Sequence, residues 1–331
     1  MQRSSRQAAA SVTAVMTMAA LVLLTPPPAR AMGPGSTEGS GTLALGGHQL
    51  EVSGRLGVGW LSGESTETVY DTGTGRKLSE LVWDLDSVFL LNAGASIEPT
   101  PWLRLNADLW FRMNDGSGSM DDYDYVLPGY GFTHWSHSEV DLSEGYIVDV
   151  NAAFAFHRRG DTVFSALAGY RRDAWEWDAK GGSYVYSVDR LYDTVGTFPD
   201  GVTSITYEQW YDVPYLGLGF TSRLAQLRVS GRVLYSPFVS ANDKDTHHFR
   251  DLVFEQDFDS TTMFALDFAI GYDLTSALAL QARFQYQQYD EAQGSTTITD
   301  RTTGARYFYG GDAAGTEHES GLLSLGLQYT F

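Results

Sequence analysis

The amino-acid sequence predicts an all-β protein: a transmembrane antiparallel β-barrel of ten strands with long extracellular loops. Three observations carry this reading. Long segments alternate apolar with polar or small residues at a period of two, as a strand does when its two faces meet different surroundings. The connections between these segments alternate between short and long. The last segment, "GLLSLGLQYTF", keeps its alternation to Phe331, so the chain finishes inside a strand, and aromatic residues cluster near strand ends. A soluble sandwich would alternate too. Lipid, however, demands that every backbone polar group be paired within the protein, which a closed barrel achieves without edges. Long, numerous strands favour the barrel.

Residues 1–31 read as a secretory signal. Arg3 and Arg6 precede an apolar stretch from Ala8 to Leu24, three prolines follow, and Ala29-Arg30-Ala31 supplies a small-x-small cleavage pattern. The alternative, an uncleaved anchor, calls for a longer apolar core. Residues 32–47, beginning "MGPGSTEGSG", read as a short flexible leader, and residues 48–331 as the barrel. Losing Arg3, Arg6 and Arg30 with no acid takes the net charge from −19 to −22. That acidity argues against nucleic acid and favours basic partners. The exported chain has no cysteine, so a continuous hydrogen-bonded structure must replace a disulfide framework.

Ten strands are expected near 48–62, 78–95, 102–113, 139–157, 161–184, 204–220, 224–239, 252–272, 277–290 and 306–331. Leu103, Leu105, Ala107, Leu109 and Phe111, for example, alternate with Arg104, Asn106, Asp108, Trp110 and Arg112. The short connections "EPTP", "RRGD", "TSRL" and "DLTSA" suit periplasmic turns, and the long Gly-, Asp-, Ser- and Thr-rich ones suit outer loops. Arg104, Asp108, Arg112, Arg228, Arg232, Asp267 and Arg283 would point inward, where they would fill the lumen and pair with one another. An open pore is disfavoured.

Parity places two acidic clusters at the same outer end: "SMDDYDY" at 119–125 and "ANDKDTHHFR" at 241–250. Alternate residues of an extended segment share a face. Asp122 and Asp124 would therefore face together, as would Asp243, Asp245 and His247. A carboxylate beside a histidine fixes its tautomer and favours its protonated form, which suits a general base acting on water. The same residues could be solvated loop acids, or could bind calcium through oxygens and an imidazole. The spacing lacks the EF-hand pattern and an H-x-x-x-H pair, so no metal is expected. His248 is expected to be an exposed neighbour, and His48, His157 and His318 carry no readable signal.

Over about Leu56 to Phe331 the sequence resembles the omptins, outer-membrane endopeptidases of Gram-negative bacteria. The motifs that carry the resemblance stand in one order: "LSGESTETVY" at 61–70, "GRKLSELVW" at 75–83, "MDDYD" at 120–124, "AKGGSYVYS" at 179–187, "GTFPDG" at 196–201, "VPYLGL" at 213–218, "DKDTH" at 243–247 and the final "YTF". The resemblance implies a ten-stranded barrel with a cleft at its outer rim. It puts the family's aspartate pair on Asp122 and Asp124 and its Asp-x-His pair on Asp245 and His247. The acids that receive a basic side chain before the scissile bond fall on Glu67 and Asp243.

Two departures stand out. Arginines that contact lipopolysaccharide in familiar members are replaced by Ala174 and Trp210, with Arg171 or Arg172 as substitutes, which counts against lipopolysaccharide as an accessory ligand. The acid for the residue after the cut is not evident, and His134 or Trp135 occupies its place. The expected function is thus an aspartic-type endopeptidase of the cell outer membrane, its site facing outside. It would cleave exposed basic peptides or proteins with Asp/His-activated water and no cofactor. Its other partner would be outer-membrane lipid. The alternative is a non-catalytic adhesin or binding barrel on the same scaffold.

Overall fold

Strand structure runs further along the chain than the apolar alternation alone indicates. The computed structural model describes residues 42–45 and 48–331. Its strands are β1 (Thr42–Leu45), β2 (His48–Tyr70), β3 (Lys77–Thr100), β4 (Leu103–Arg112), β5 (Gly118–Asp124), β6 (His134–Arg159), β7 (Thr162–Tyr186), β8 (Thr194–Thr197), β9 (Thr203–Leu224), β10 (Leu227–His247), β11 (Leu252–Phe258), β12 (Thr261–Asp273), β13 (Leu278–Asp300) and β14 (Arg306–Thr330). All pairings are antiparallel, and β2 lies between β14 and β3, which closes the sheet into a ring. β4 and β5 are the lower and upper parts of one stave between β3 and β6. β12 and β11 divide another between β10 and β13 in the same way. The ring therefore has the expected ten staves. Thr42–Leu45 of the expected leader pairs with His48–Glu51, while the signal segment expected over 1–31 lies outside the described residues.

The long extracellular loops are not found. The polar stretches expected to form them are strand, and most outer connections are short: 71–76, 125–133, 248–251 and 301–305. Only 187–202 is longer, and it carries β8 back onto β7. The reason is an inversion of amphipathicity along each stave. In the lower half, outward side chains such as Leu56, Val58, Trp60, Leu323, Leu325 and Leu327 form an exposed apolar band, and the inward ones are polar. Above the band the outer face meets water and turns polar, as at Ser62, Glu64, Glu208 and Lys244. The inner face there turns aromatic, with Trp83, Trp175, Trp177 and Tyr207 fully buried. Apolar outward alternation stops at the lipid boundary, but the hydrogen-bonded ladder does not.

In the lower lumen Asp108 accepts from Arg55 at 3.0 Å, Arg232 pairs with Asp267 at 2.6 Å, and Arg283 spans both acids. Of the inward charges expected to pair with one another, Asp108, Arg232, Asp267 and Arg283 do so, whereas Arg104, Arg112 and Arg228 pair instead with Glu98, Asp115 and Asp273. Below them a polar cavity of about 250 Å³ is lined by Arg55, Arg104, Asp108, Arg232 and Arg283. Two clusters fill the space above. One is built on Trp83, Trp177, Met120 and Tyr207, and the other on Tyr211, Tyr215, Leu234 and Tyr289. One glycine is indispensable at the rim. Gly182 has φ +100°, and a Cβ there would stand 1.9 Å from the His137 carbonyl oxygen, where β6 and β7 shift register.

Candidate active site

The candidate groups stand on strands above the lipid-facing band, not on loops. On β5, Met120, Asp122 and Asp124 face inward, and Asp121 between them faces out. Outside, Asp121 accepts the Trp135 indole N–H at 2.9 Å and lies 3.0 Å from His137 Nδ1. Ser79 on β3 donates its hydroxyl to Asp122 at 3.2 Å. Of the two residues that could stand in for the missing acid, Trp135 is therefore on the outer face. His134 lies opposite Asp124 in the ladder and packs on the inward Tyr186, ring centroids 5.1 Å apart.

On β10, Asp243, Asp245 and His247 share the inner face, and Lys244 points out to pair with Glu208. The carboxylate of Asp245 accepts the His247 Nε2–H at 2.6 Å, which leaves Nδ1 as the free ring nitrogen. Phe254 covers one side of the ring at 5.2 Å. Glu67 is not in a loop either. It sits within β2 opposite Leu81 of β3, which in turn lies opposite Asp122, so Glu67 and Asp122 stand at one height two strands apart.

Glu67, Asp243 and Asp245 are each only 2% exposed. Burial, then the charges of Asp245 and Asp243, push the Glu67 carboxyl well above the usual range. Burial pushes Asp243 well up as well, against a hydrogen bond from Tyr207 at 3.0 Å. Asp122 is pushed up to about 7 by burial and by the neighbouring Asp124 charge, and burial raises Asp124 too. Burial alone would lower the His247 pKa, but the charge and hydrogen bond of Asp245 more than reverse this, so it ends above 6.5. The charge of Asp122 acts on His247 and that of His247 on Asp122, so the inner faces of β5 and β10 carry groups within electrostatic reach of each other. Among the described residues, one oxygen each of Glu67 (Oε2), Asp243 (Oδ1) and Asp245 (Oδ1) is buried without a hydrogen-bond partner.

Several contributors carry no apolar or motif signal. Gln256 on β11 lies opposite Asp243 and donates its amide to Glu67 Oε1 at 3.0 Å. Tyr207 and Gln209 on β9 connect Asp243 to Thr316 and Ser65. Ser65 leads to the buried His318, 2.8 Å from its Nδ1, and Trp175 stacks on that ring. Burial, then the charge of Arg171, depresses the His318 pKa to about 3, so the ring is neutral and serves as part of the floor. Its inward direction follows from the alternation of β14 once Leu323 is placed outward.

The two candidate substitute arginines point to opposite faces. Ala174 and Trp210 lie opposite each other. Arg171 turns inward to a buried pair with Asp173 at 2.8 Å, which removes it from the lipid side. Arg172 faces out, held by Asp212 at 2.7 Å and Tyr146 at 3.2 Å.

Comparison with known proteins bears on the fold and the family. The family model described as the Omptin family matches residues 48–331. A plasminogen activator of Yersinia pestis is 34% identical over 83% of this chain and 88% of its own length. Outer membrane protease OmpP of Escherichia coli is 27% identical over 85% of this chain and 90% of its own length. The crystal structure of outer membrane protease OmpT from Escherichia coli superposes with a TM-score of 0.81 at 24% identity, covering 85% of this chain and 97% of that one, a likeness of fold. The chain belongs to the omptin family, as a β-barrel of the outer membrane.

Proposed function

We propose that this outer-membrane protease is an endopeptidase that cleaves polypeptides beside a basic residue, using water activated by His247 and Asp245. The observation that carries the reading is the juxtaposition of two kinds of buried acid. One, Asp245, is hydrogen-bonded to a histidine. The others, Glu67 and Asp243, each keep a buried oxygen unpartnered beside it. Burying unpaired carboxylates is costly unless a cation arrives to meet them, and an Arg or Lys side chain supplies that cation.

The chemistry then follows from the charge states. Asp245 holds His247 with Nδ1 free as the base. Water between the inner faces of β5 and β10 gives a proton to Nδ1 as its oxygen attacks the peptide carbonyl. Asp122, whose pKa of about 7 lets it keep a proton near neutrality, donates a hydrogen bond to the developing oxyanion together with Asp124. The imidazolium returns its proton to the leaving amine as the C–N bond breaks. Water, not a side chain, is the nucleophile, which is the sense in which the enzyme is of aspartic type.

The test is refolded protein with a fluorogenic dibasic peptide, with and without lipopolysaccharide. Cleavage beside the basic residue is expected under both conditions, because among the candidate arginines only Arg172 faces the lipid side. Ala at Asp122, Asp124, Asp245 or His247 should each lower turnover at least ~100-fold with the barrel intact. A folded His247→Ala protein with near-parental turnover would remove the pair from the mechanism. No cleavage of any basic peptide by folded parent protein would leave a binding barrel as the function.

A further inference from the structure

Gln256 stands where the two pocket acids meet. It lies opposite Asp243 in the β10–β11 ladder, where facing side chains are about 5 Å apart at Cβ. It is 3% exposed, and its Nε2–H reaches across the lumen to Glu67 Oε1 at 3.0 Å. Once a cation enters and Glu67 is ionised, its carboxylate can only accept, so this contact then keeps the amide facing the same way. The Gln256 carbonyl oxygen is left buried and without a partner, beside the unpartnered oxygens of Glu67 and Asp243.

We propose that Gln256 is a specificity-determining residue of the basic pocket, holding Glu67 in place and offering its own Oε1 as a neutral acceptor that favours a guanidinium over an ammonium. The inference rests on the proposed pocket of Glu67 and Asp243. Both cations gain from two carboxylates, largely through undirected attraction. A neutral amide oxygen adds little to that attraction and acts through direction. Lys is a compact point charge with three rotatable donors, readily satisfied by the two acids and one water. Arg brings five N–H donors in a fixed planar fork, and each one buried without an acceptor is a loss. A third oxygen, oriented by its amide's bond to Glu67, therefore serves the guanidinium more.

The experiment measures kcat/KM for paired peptides that differ only in Arg, Lys or Ala before the scissile bond, using the full-length refolded chain. The parent should prefer Arg to Lys. Gln256→Met keeps the length and removes both polar ends, and it should lower the Arg-to-Lys ratio about tenfold, the scale of one hydrogen bond to a charged group. Gln256→Asn keeps the amide and withdraws it by one methylene. It should lower the ratio in the same direction, and it stands in if the Met variant does not fold. If Gln256 only props Glu67, Arg and Lys fall together and the ratio stays at the parental value, which overturns the inference. A parent that cleaves Lys as well as Arg overturns it too. A parent indifferent to Arg, Lys and Ala refutes the pocket itself, a failure distinguishable from the others.

Discussion

Replacing Glu67 by Gln and Asp243 by Asn in one protein keeps every atom in place to within isosteric exchange and removes both charges from the pocket. Each acid presents one buried, unpartnered oxygen. A hydrogen bond to a charged partner contributes about 1.5–3 kcal/mol, and a neutral amide oxygen keeps roughly half of that. Two such losses, with the weakened attraction of the buried site for a cation, total about 3 kcal/mol, or about 100-fold in kcat/KM for Arg peptides. Peptides with Ala at the same position should be nearly unaffected, since the groups proposed to act on water are untouched. The same variant should be more stable than the parent. Both carboxyls are raised, so the folded protein holds protons that the unfolded chain releases. Their contribution is present below the ordinary carboxylate range and is lost as pH rises through the raised folded values. Denaturant unfolding from pH 4 upward should show that decline in the parent and a flatter curve in the double variant. A double variant that still prefers Arg to Ala as strongly as the parent would show that the cation binds elsewhere.

Two further outcomes follow from other parts of the barrel. Asp245 is what lifts His247 above 6.5 against its burial, so Asp245→Asn should move the acid limb of the kcat/KM profile to lower pH as well as slow the reaction; a limb that stays in place would separate Asp245 from the titrating group. In the lower lumen Asp267 joins Arg232 and Arg283, so Asp267→Ala leaves a buried guanidinium without its partner and should destabilise by about 3 kcal/mol, read as a lower urea midpoint. An unchanged midpoint would mean that water already carries those charges.

The staves were legible because lipid enforces a rule that sequence displays directly: alternate residues must be apolar wherever the outer face meets hydrocarbon. Parity alone placed Asp122 with Asp124, and Asp243 with Asp245 and His247, because a strand and an extended loop share the same alternation. The strand ends were illegible for the same reason. Above Trp60 or Phe238 the outward residues turn polar, and a strand with a wet outer face and a hidden inner one reads as loop. Glu67 looks like a free acid in "ESTETVY", yet it is buried, because the partner that buries it comes from Gln256, 189 residues away. His318 likewise carries no signal in its own segment until Ser65, Trp175 and Tyr289 close around it. Contacts across a lumen pair residues of unrelated local sequence, and no short window contains both.

The inversion of amphipathicity also explains how this chain tolerates its site. Glu67, Asp122, Asp124, Asp243 and Asp245 crowd one cleft of a protein whose net charge is −19 and which has no cysteine to cross-link. Their mutual repulsion and burial oppose folding. The opposing contribution comes from a ladder that continues from the lipid band to the rim, unbroken in most staves and carried past the breaks at 113–117 and 259–260 by the neighbouring strands. β10 pairs with β9 from Leu227 to His247 with one interruption between Tyr235 and Ser240. On the other side its partner is β12 up to Val239 and β11 from Asn242. One strand thus faces lipid at Tyr235, joins the aromatic floor at Val239 and Ala241, and delivers Asp243, Asp245 and His247 to the cleft at successive alternate positions. Carboxylates on loops could swing into water and relax toward their ordinary pKa. Fixed in a ladder they cannot, and that confinement keeps the Asp122 carboxyl raised to about 7 and one oxygen each of Glu67 and Asp243 buried without a partner.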